Sequence, residues 1–154
     1  MSKFLDKFDL SGKVAIVTGA SKGIGAAIAT GLAQQGANVV ICSRKQEALD
    51  EYIKEAKSAG VQLTGIECNV GDEAQLNQLV EKTVSQFGGV DILVNCAATN
   101  PMFGPIDQME STLFDKMVLV NVKSIFTLSN LCAEHMRKRG GGSIINISSV
   151  EGLA

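Results

Sequence analysis

A short apolar run that stops at a glycine turn constrains the fold of this chain more than any other feature. Residues 14–17 read VAIV and lead into Thr18, and an all-apolar run of this length is typical of a strand buried on both faces of a parallel sheet. Three glycines come next, at Gly19, Gly23 and Gly25. Apolar residues then recur at helical spacing until Gly36, where the helix should end. The pattern predicts a strand, a glycine turn and a helix, in that order.

This order of elements suits the binding of a phosphate group. Glycines let the backbone turn tightly and approach a ligand, and the start of a helix presents unpaired N–H groups with a partial positive charge. The spacing is T-G-x-x-x-G-x-G rather than G-x-G-x-x-G, and we interpret it as a turn that binds a dinucleotide. The alternative is a glycine turn that only packs a helix against its strand.

Strands and helices alternate along the rest of the chain. The predicted strands are 38–42, 63–68, 91–95 and 143–148, and the predicted helices are one that ends before Gly60, 73–87 and 111–139. Such alternation predicts right-handed crossovers and an α/β fold with a Rossmann-type doubly wound parallel sheet. Since 154 residues with 45% hydrophobic content suffice for one well-buried domain, we expect residues 1–154 to form a single dinucleotide-binding domain.

Polar residues follow each predicted strand. In a doubly wound sheet, ligands bind at the carboxyl ends of the strands. The residues found there are Thr18 and Gly19, Ser43 and Arg44, Asn69, Asn95, and Ser148 and Ser149. Because Ser, Asn and Gly are also common in ordinary turns, this pattern supports a binding site at that edge without excluding a set of plain turns.

The second predicted strand ends at Ser43 and Arg44, where an NAD-binding sheet of this kind presents an acidic residue to the ribose hydroxyls. A hydroxyl beside a guanidinium suits a 2′-phosphate instead, because Arg forms planar, charge-assisted hydrogen bonds. Lys22 in the glycine turn adds a second cation. We therefore predict NADP as the cofactor, the alternative being that both cations are solvated surface charges.

The segment TGASKGIG, residues 18–25, resembles the cofactor loop of the short-chain dehydrogenase/reductases. Further segments resemble that family in order along the chain: 69–70 (NV), 95–98 (NCAA), 120–122 (VNV) and 147–152 (ISSVEG). With the charge argument above, the resemblance implies a cofactor site made of Thr18, Gly19, Ser21, Lys22, Gly23, Ile24, Gly25, Ser43, Arg44, Asn69, Val70, Asn95 and Ala97. The loop 100–106 looks most like the carbonyl reductase and retinol dehydrogenase branch.

The resemblance also implies two catalytic residues. Asn121, in the V-N-V segment, would anchor a water-linked proton relay, and Ser149 would hold the substrate carbonyl. Judged without the resemblance, Asn121 lies in an apolar stripe and is more simply a core amide with a partner in the protein. The implied reaction is hydride transfer between NADP(H) and a small-molecule carbonyl or secondary alcohol.

The sequence departs from the family pattern at several positions. Asn69 replaces an Asp, so it can accept from the adenine amino group only without charge assistance, and Cys96 and Ala98 replace the second Asn and the Gly of N-N-A-G. The family's general acid, a Tyr beyond the serine with a Lys four residues later, has no counterpart before Ala154. We therefore expect an N-terminal portion of the family fold, truncated after the fifth strand and inactive alone.

Other interpretations remain open at this point. The whole enzyme could instead be a 3-oxoacyl carrier-protein reductase, or the chain could be a non-catalytic NADP-binding sensor or assembly subunit. A flavodoxin-like binding domain is a third alternative, which the T-G-x-x-x-G-x-G spacing argues against. The uncovered apolar strand 143–148 and the long apolar helix predict a homo-oligomer, which would be a tetramer in a complete member of the family.

Charge and composition exclude several classes of function. A net charge of −2 with scattered Lys and Arg gives no basic patch for nucleic acid. Residues 1–10 lack the apolar core of a signal peptide, and no stretch approaches the length of a membrane span, so we expect a cytoplasmic protein. The four cysteines form no C-x-x-C pair and His135 is the only histidine, which predicts structural thiols and no metal site.

Overall fold

The strand that comes first in the chain lies at the centre of the sheet. The computed structural model describes residues 6–102 and 104–149. Its strands are β1 (Val14–Thr18), β2 (Asn38–Ser43), β3 (Thr64–Glu67), β4 (Ile92–Asn95) and β5 (Ser143–Asn146). They form one parallel sheet in the order β3-β2-β1-β4-β5, so β1 has β2 on one side and β4 on the other.

Helices connect the strands as the alternation predicts. They are α1 (Gly23–Gln34), α2 (Gln46–Ser58), α3 (Glu73–Phe87), α4 (Ser111–Val118) and α5 (Ser124–Lys138), with 3₁₀ turns at Asp6–Phe8 and Ile106–Gln108. The bounds of α3 have visible causes. The Asp72 carboxylate accepts from the N–H groups of Ala74 and Gln75, and Gly88 ends the helix at φ +82°.

The two faces of the sheet carry separate hydrophobic cores. On one face Ala15 and Val17 of β1 pack in a cluster with buried residues of α1 and α2. On the other face Ile16 packs in a cluster with buried residues of α3 and α5. Because neighbouring residues of β1 are buried on opposite sides, the whole strand is apolar, as a strand between two helical layers requires. The predicted Rossmann-type α/β fold is confirmed.

The long helix predicted over 111–139 is present, but it contains a wider turn that the sequence did not indicate. A π-helical turn, Leu119–Lys123, separates α4 from α5. Apolar residues spaced by three and four do not reveal an inserted residue, so the pattern could not show the wider turn. The predicted apolar stripe is also only partly in the core, because Phe114 and Val118 are 56% and 39% exposed.

Three strands are shorter than predicted, β4 by the single residue 91. β3 is Thr64–Glu67 rather than 63–68, and β5 is Ser143–Asn146 rather than 143–148. The register explains the end of β5, because Asn146 pairs with Asn95, the last residue of its neighbour β4. Apolar residues of a segment do not reveal where its partner strand stops, so these bounds depend on pairing.

A buried ion pair fixes the end of the sheet where the strands begin. Asp91, whose side chain is 4% exposed, accepts from the backbone N–H of Val14 at 2.8 Å through Oδ2 and from Nε of Arg139 at 2.9 Å through Oδ1. The Arg139 guanidinium also donates to the carbonyl of Gly12 at 3.0 Å. This pair therefore joins the starts of β1 and β4 to the end of α5.

Candidate functional site

The glycine turn between β1 and α1 is built by three glycines with different tasks. Gly19 has φ +65°, and a Cβ there would lie 2.8 Å from Cα of Ala97. A Cβ on Gly25 would lie 2.6 Å from the Gly19 carbonyl oxygen, so Gly25 lets the first turn of α1 pack against the loop. Gly23 has φ +62° but no heavy atom within 4 Å of its added Cβ. The space in front of α1 is therefore open, while the loop beneath it is closely packed.

The start of α1 is free to receive an anion. Lys22 precedes the helix with an extended backbone, its side chain does not cap the helix, and the first turn contains no acidic residue. The N–H groups of that turn keep their partial positive charge without a side-chain acceptor. Lys22 is exposed beside them, and Ile24 is 65% exposed. These features fit a bound pyrophosphate.

The end of β2 lies beside this turn. The Ser21 hydroxyl donates to Oγ of Ser43 at 3.3 Å, so the glycine turn and the end of β2 are linked through two predicted site residues. Arg44 follows and is exposed. Among the ion pairs of residues 6–102 and 104–149, none involves Arg44 or Lys22. Both cations are therefore available for a 2′-phosphate.

Two predicted cofactor residues, Thr18 and Asn95, are buried and engaged inside the protein. Oγ1 of Thr18 accepts from the backbone N–H groups of Cys96 and Ala97, both at 3.0 Å. The Asn95 side chain donates to Oδ1 of Asn146 at 2.9 Å. These side chains tie the ends of β1, β4 and β5 together. They position the floor of the site and bring Ala97 against Gly19.

Asn69 and Val70 follow β3 at the same edge of the sheet. Oδ1 of Asn69 accepts from the N–H of Gly71 at 3.1 Å, and the backbone N–H of Asn69 donates to Gln75 at 2.8 Å. Val70 is buried at 7% exposure. Since an amide oxygen has two lone pairs, the exposed Asn69 can still accept from a second donor such as the adenine amino group.

Asn121 lies in the π-helical turn and holds the backbone of the loop after β4. Its Oδ1 accepts from the N–H of Thr99 and its Nδ2 donates to the carbonyl of Thr99, both at 2.8 Å. The amide is thus satisfied within the protein. Widened π turns occur often at functional sites, since the extra residue redirects side chains.

Replacement of Asn121 by Ala should free the loop around Thr99. The change leaves one N–H and one carbonyl without partners, so we expect the free energy of unfolding to fall by about 1–3 kcal/mol. Urea denaturation measures this, and amide exchange at Thr99 should become faster. Asn77→Ala is the matched control, because that amide makes one exposed bond within α3 and should cost about 0.5 kcal/mol or less. Unchanged exchange at Thr99 would contradict the assigned role.

Ser149 lies three residues beyond β5 and is exposed. It therefore follows the carboxyl end of its strand, as Arg44, Asn69 and Ala97 follow theirs. The remainder of the I-S-S-V-E-G segment, residues 150–152, lies outside the described residues, as does Phe103 in the predicted branch-specific loop.

Sequence reasoning missed the partners that hold the site residues. Thr99, Asn146 and Gln75 fix Asn121, Asn95 and Asn69 respectively. Only Asn146 carried a signal in the sequence, since it is an amide within the apolar run S-I-I-N-I-S. The other two occur in polar segments where nothing distinguishes them.

The described part of the chain contains no candidate metal site and no membrane-spanning helix. No three His, Cys, Asp or Glu side chains in it are grouped as metal ligands. None of its helices combines the length and apolar character needed to cross a bilayer. The four cysteines are free thiols, of which Cys42, Cys68 and Cys132 are buried and Cys96 is half-buried.

The sequence of this chain is similar to those of a known protein family and of its curated members. The family described as short chain dehydrogenase matches residues 13–154. Dehydrogenase/reductase SDR family member 4 from Sus scrofa is 45% identical over 141 residues, which are 92% of this chain and 50% of the relative. The Homo sapiens protein of the same name is 43% identical over 92% of this chain and 51% of its own length. The chain thus spans about half the length of these curated relatives.

Solved structures agree in fold. A short-chain type dehydrogenase/reductase from Mycobacterium marinum superposes with a TM-score of 0.92 at 34% identity, over 100% of this chain and 62% of that one. A metagenomic short-chain oxidoreductase in complex with NADP gives a TM-score of 0.88 at 36% identity, over 94% of this chain and 66% of that one.

Proposed function

Because this chain belongs to the short chain dehydrogenase family, we propose that it binds NADP(H) for hydride transfer to or from a carbonyl or secondary alcohol. The observation that carries the proposal is the end of β2, where the Ser43 hydroxyl contacts Ser21 of the glycine turn, Arg44 follows directly, and no carboxylate of the described residues pairs with that cation. A similar structure bound to NADP supports the choice of cofactor.

Different residues would bind different parts of the cofactor. The N–H groups at the start of α1 would receive the pyrophosphate, and Arg44 with Lys22 would bind the 2′-phosphate. Asn69 would accept from the adenine amino group. Thr18 and Asn95 act indirectly, since their buried side chains hold the floor against which the glycine turn packs.

When bound, NADPH supplies the hydride that a carbonyl carbon accepts. On the protein side, we propose that the Ser149 hydroxyl donates to the carbonyl oxygen of the substrate, and that Asn121 positions the loop at Thr99 beside it. Tyr52 is the only tyrosine of the chain, and its hydroxyl donates to the carbonyl of Ala26 at 2.7 Å between α2 and α1. We therefore assign it a structural role.

Titration with NADPH and NADH tests the choice of cofactor. We expect NADPH to bind more tightly, and Arg44→Asp to weaken NADPH binding by about 10- to 100-fold, because it removes a charge-assisted bond and adds repulsion. NADH binding should change by about threefold at most. Isothermal titration calorimetry measures both constants.

Arg137→Asp is the matched control, since it makes the same charge change in the last turn of α5, at the end of the sheet where the strands begin. It should leave the preference for NADPH unchanged. A wild type that prefers NADH, or an Arg44 variant with an unaltered ratio, would show that the 2′-phosphate does not bind here.

We also propose that the chain self-associates through exposed apolar side chains. Along α4, the π turn and α5, Phe114, Val122 and Phe126 are 56%, 61% and 70% exposed, and Val118 lies between them at the same spacing of four. Ile144 and Ile145 of β5 are also exposed, one on each face of that strand. Exposed apolar stripes of this kind are typical of interfaces between subunits.

Four free thiols, typical of a reducing compartment, support a cytoplasmic location.

A further inference from the structure

The π-helical turn packs against the loop 69–72, which follows β3 and is here called the adenine loop. A Cβ on Gly71 would lie 3.3 Å from Cδ2 and 3.5 Å from Cγ of Leu119, so the leucine side chain covers this glycine closely. Val120, the next residue of the turn, packs against the buried cluster that includes Val70. The π turn therefore contacts the adenine loop through Leu119 and shares a core with it through Val120.

Asn69 gives the adenine loop its shape. Its Oδ1 accepts from the N–H of Gly71 at 3.1 Å, and its carbonyl accepts from the N–H of Asp72 at 2.9 Å. The exposed amide oxygen keeps a lone pair for a donor on a ligand. Because Leu119 lies against Gly71, a shift of the leucine would give this Asn69 turn room to move.

The same π turn holds a second loop two residues further on. Asn121 binds both the N–H and the carbonyl of Thr99, each at 2.8 Å, in the loop after β4. Leu119 and Asn121 belong to one turn of five residues that continues into α4 on one side and α5 on the other. One short piece of helix thus contacts the loop proposed for the adenine and the loop proposed to lie beside the substrate.

An exposed ion pair also joins the π turn to the start of α3, but it is too weak to link the two loops. Nζ of Lys123 lies 3.8 Å from Oε2 of Glu73, and the two side chains are 60% and 65% exposed. Ion pairs this exposed contribute little, because water screens them and two long side chains must be ordered. The packing of Leu119 on Gly71 is therefore the contact that matters.

We propose that Leu119 is a positioning residue that couples the adenine loop to the loop around Thr99, so that a ligand bound at Asn69 orders the backbone beside the substrate. The inference rests on the proposed function for its ligand, whereas the coupling itself can be tested without one. A ligand that fixes the Asn69 turn restricts Leu119 and, through the π turn, the two bonds from Asn121 to Thr99. Because coupling is reciprocal, an ordered loop at Thr99 in turn favours binding of the adenine.

The first test measures amide exchange without any ligand. In Leu119→Ala, exchange at Gly71 and at Thr99, whose N–H groups both donate to side-chain oxygens, should become about fivefold faster. Leu119→Met keeps a long apolar side chain and should remain within about twofold of the wild type. Leu131→Ala is the matched control, because Leu131 is also a half-buried leucine beside the same cluster but lies about two turns into α5. It should leave both amides unchanged.

The second test adds adenosine 2′,5′-bisphosphate, which carries the adenine and the 2′-phosphate of NADP but no nicotinamide. At saturation, exchange at Thr99 in the wild type should become about fivefold slower. Leu119→Ala should still bind the compound, since Arg44 and Lys22 are unaltered, but should show no slowing at Thr99. Leu131→Ala should respond as the wild type does. Exchange at Gly60, which follows α2 at the opposite end of the sheet, should not change.

The outcomes separate this inference from the proposed function. If the wild type does not bind the compound, the proposed function fails, while the comparison without ligand still tests Leu119. Binding that leaves exchange at Thr99 unaltered in the wild type overturns the inference. So does slowing that persists in Leu119→Ala, because the coupling would then pass through the contact between Gly19 and Ala97. Without ligand, faster exchange at Gly71 alone would show that Leu119 holds only the adenine loop, and this too would overturn the inference.

Discussion

Asp91→Ala is expected to lower the free energy of unfolding by about 2–4 kcal/mol, because the buried carboxylate accepts from a buried backbone N–H and from a guanidinium that is 30% exposed. The Arg139 guanidinium and the Val14 N–H would both lose their acceptor at the start of the sheet. Urea denaturation of wild type and variant measures the difference. A typical domain is stable by only about 5–15 kcal/mol, so this single change removes a large part of the total.

Glu134→Ala is the control for this prediction. Glu134 accepts from Lys138 at 2.7 Å, but both side chains are more than 60% exposed, so its loss should cost about 1 kcal/mol or less. A loss at Asp91 no larger than that at Glu134 would mean that the buried pair does not anchor the strands.

The effect of Asp91 also depends on pH. Burial raises the pKa of this carboxyl, but the hydrogen bonds from Arg139 and Val14, with the charges of Arg139 and Lys13, outweigh it, so the pKa lies below its ordinary value. A carboxyl with a depressed pKa contributes stability above its unfolded pKa of about 3.9 and loses it as the pH falls through the folded pKa. The difference between wild type and Asp91→Asn should be constant from about pH 5 to 7 and shrink below about pH 4.

Gly19→Ala should have the second large effect, on both stability and cofactor binding. Its φ of +65° costs a residue with a side chain about 1–2 kcal/mol, and the new Cβ would also lie 2.8 Å from Cα of Ala97. Relieving that overlap must move the glycine turn or the end of β4, at a further cost of about 1–3 kcal/mol. Because the turn carries the start of α1, we expect NADPH binding to weaken on the order of 100-fold.

Gly60→Ala is the control that separates the conformational cost of a side chain from its packing cost. Gly60 has φ +80° but no atom within 4 Å of an added Cβ, so this variant should lose only the conformational part. Chemical denaturation and calorimetric titration of both variants give the comparison. Equal losses of stability at the two glycines, with NADPH binding intact, would show that the approach of Ala97 does not determine the turn.

Local patterns predicted the elements of this fold well where burial on both faces determines them. The run at residues 14–17 and the glycines after it predict β1, the turn and α1, and the predicted helix 73–87 coincides with α3. Where an element ends on a partner, the sequence could not show it. The end of β5 depends on Asn95, which lies about 50 residues earlier.

The candidate site, too, could be predicted from the sequence only in part. Its residue types could be predicted, because hydroxyls, amides and cations follow the strands. The direction of each side chain could not, since Thr18 turns toward backbone N–H groups far along the chain and Asn121 toward Thr99 across a wider helical turn. Such contacts form only once the strands are adjacent in the sheet, so local spacing carries no record of them.

The central position of β1 has a consequence during synthesis on the ribosome. Its neighbour β2 emerges soon after it, but β4, which covers its other edge, begins roughly 75 residues later, about 4–15 s at ordinary rates of translation. Throughout that interval one row of N–H and C=O groups on an apolar strand has no native partner and is a template for pairing with another chain. During this interval the nascent chain is prone to aggregate unless chaperones bind it or its local concentration is low. Slower translation before residue 92 would lengthen the interval.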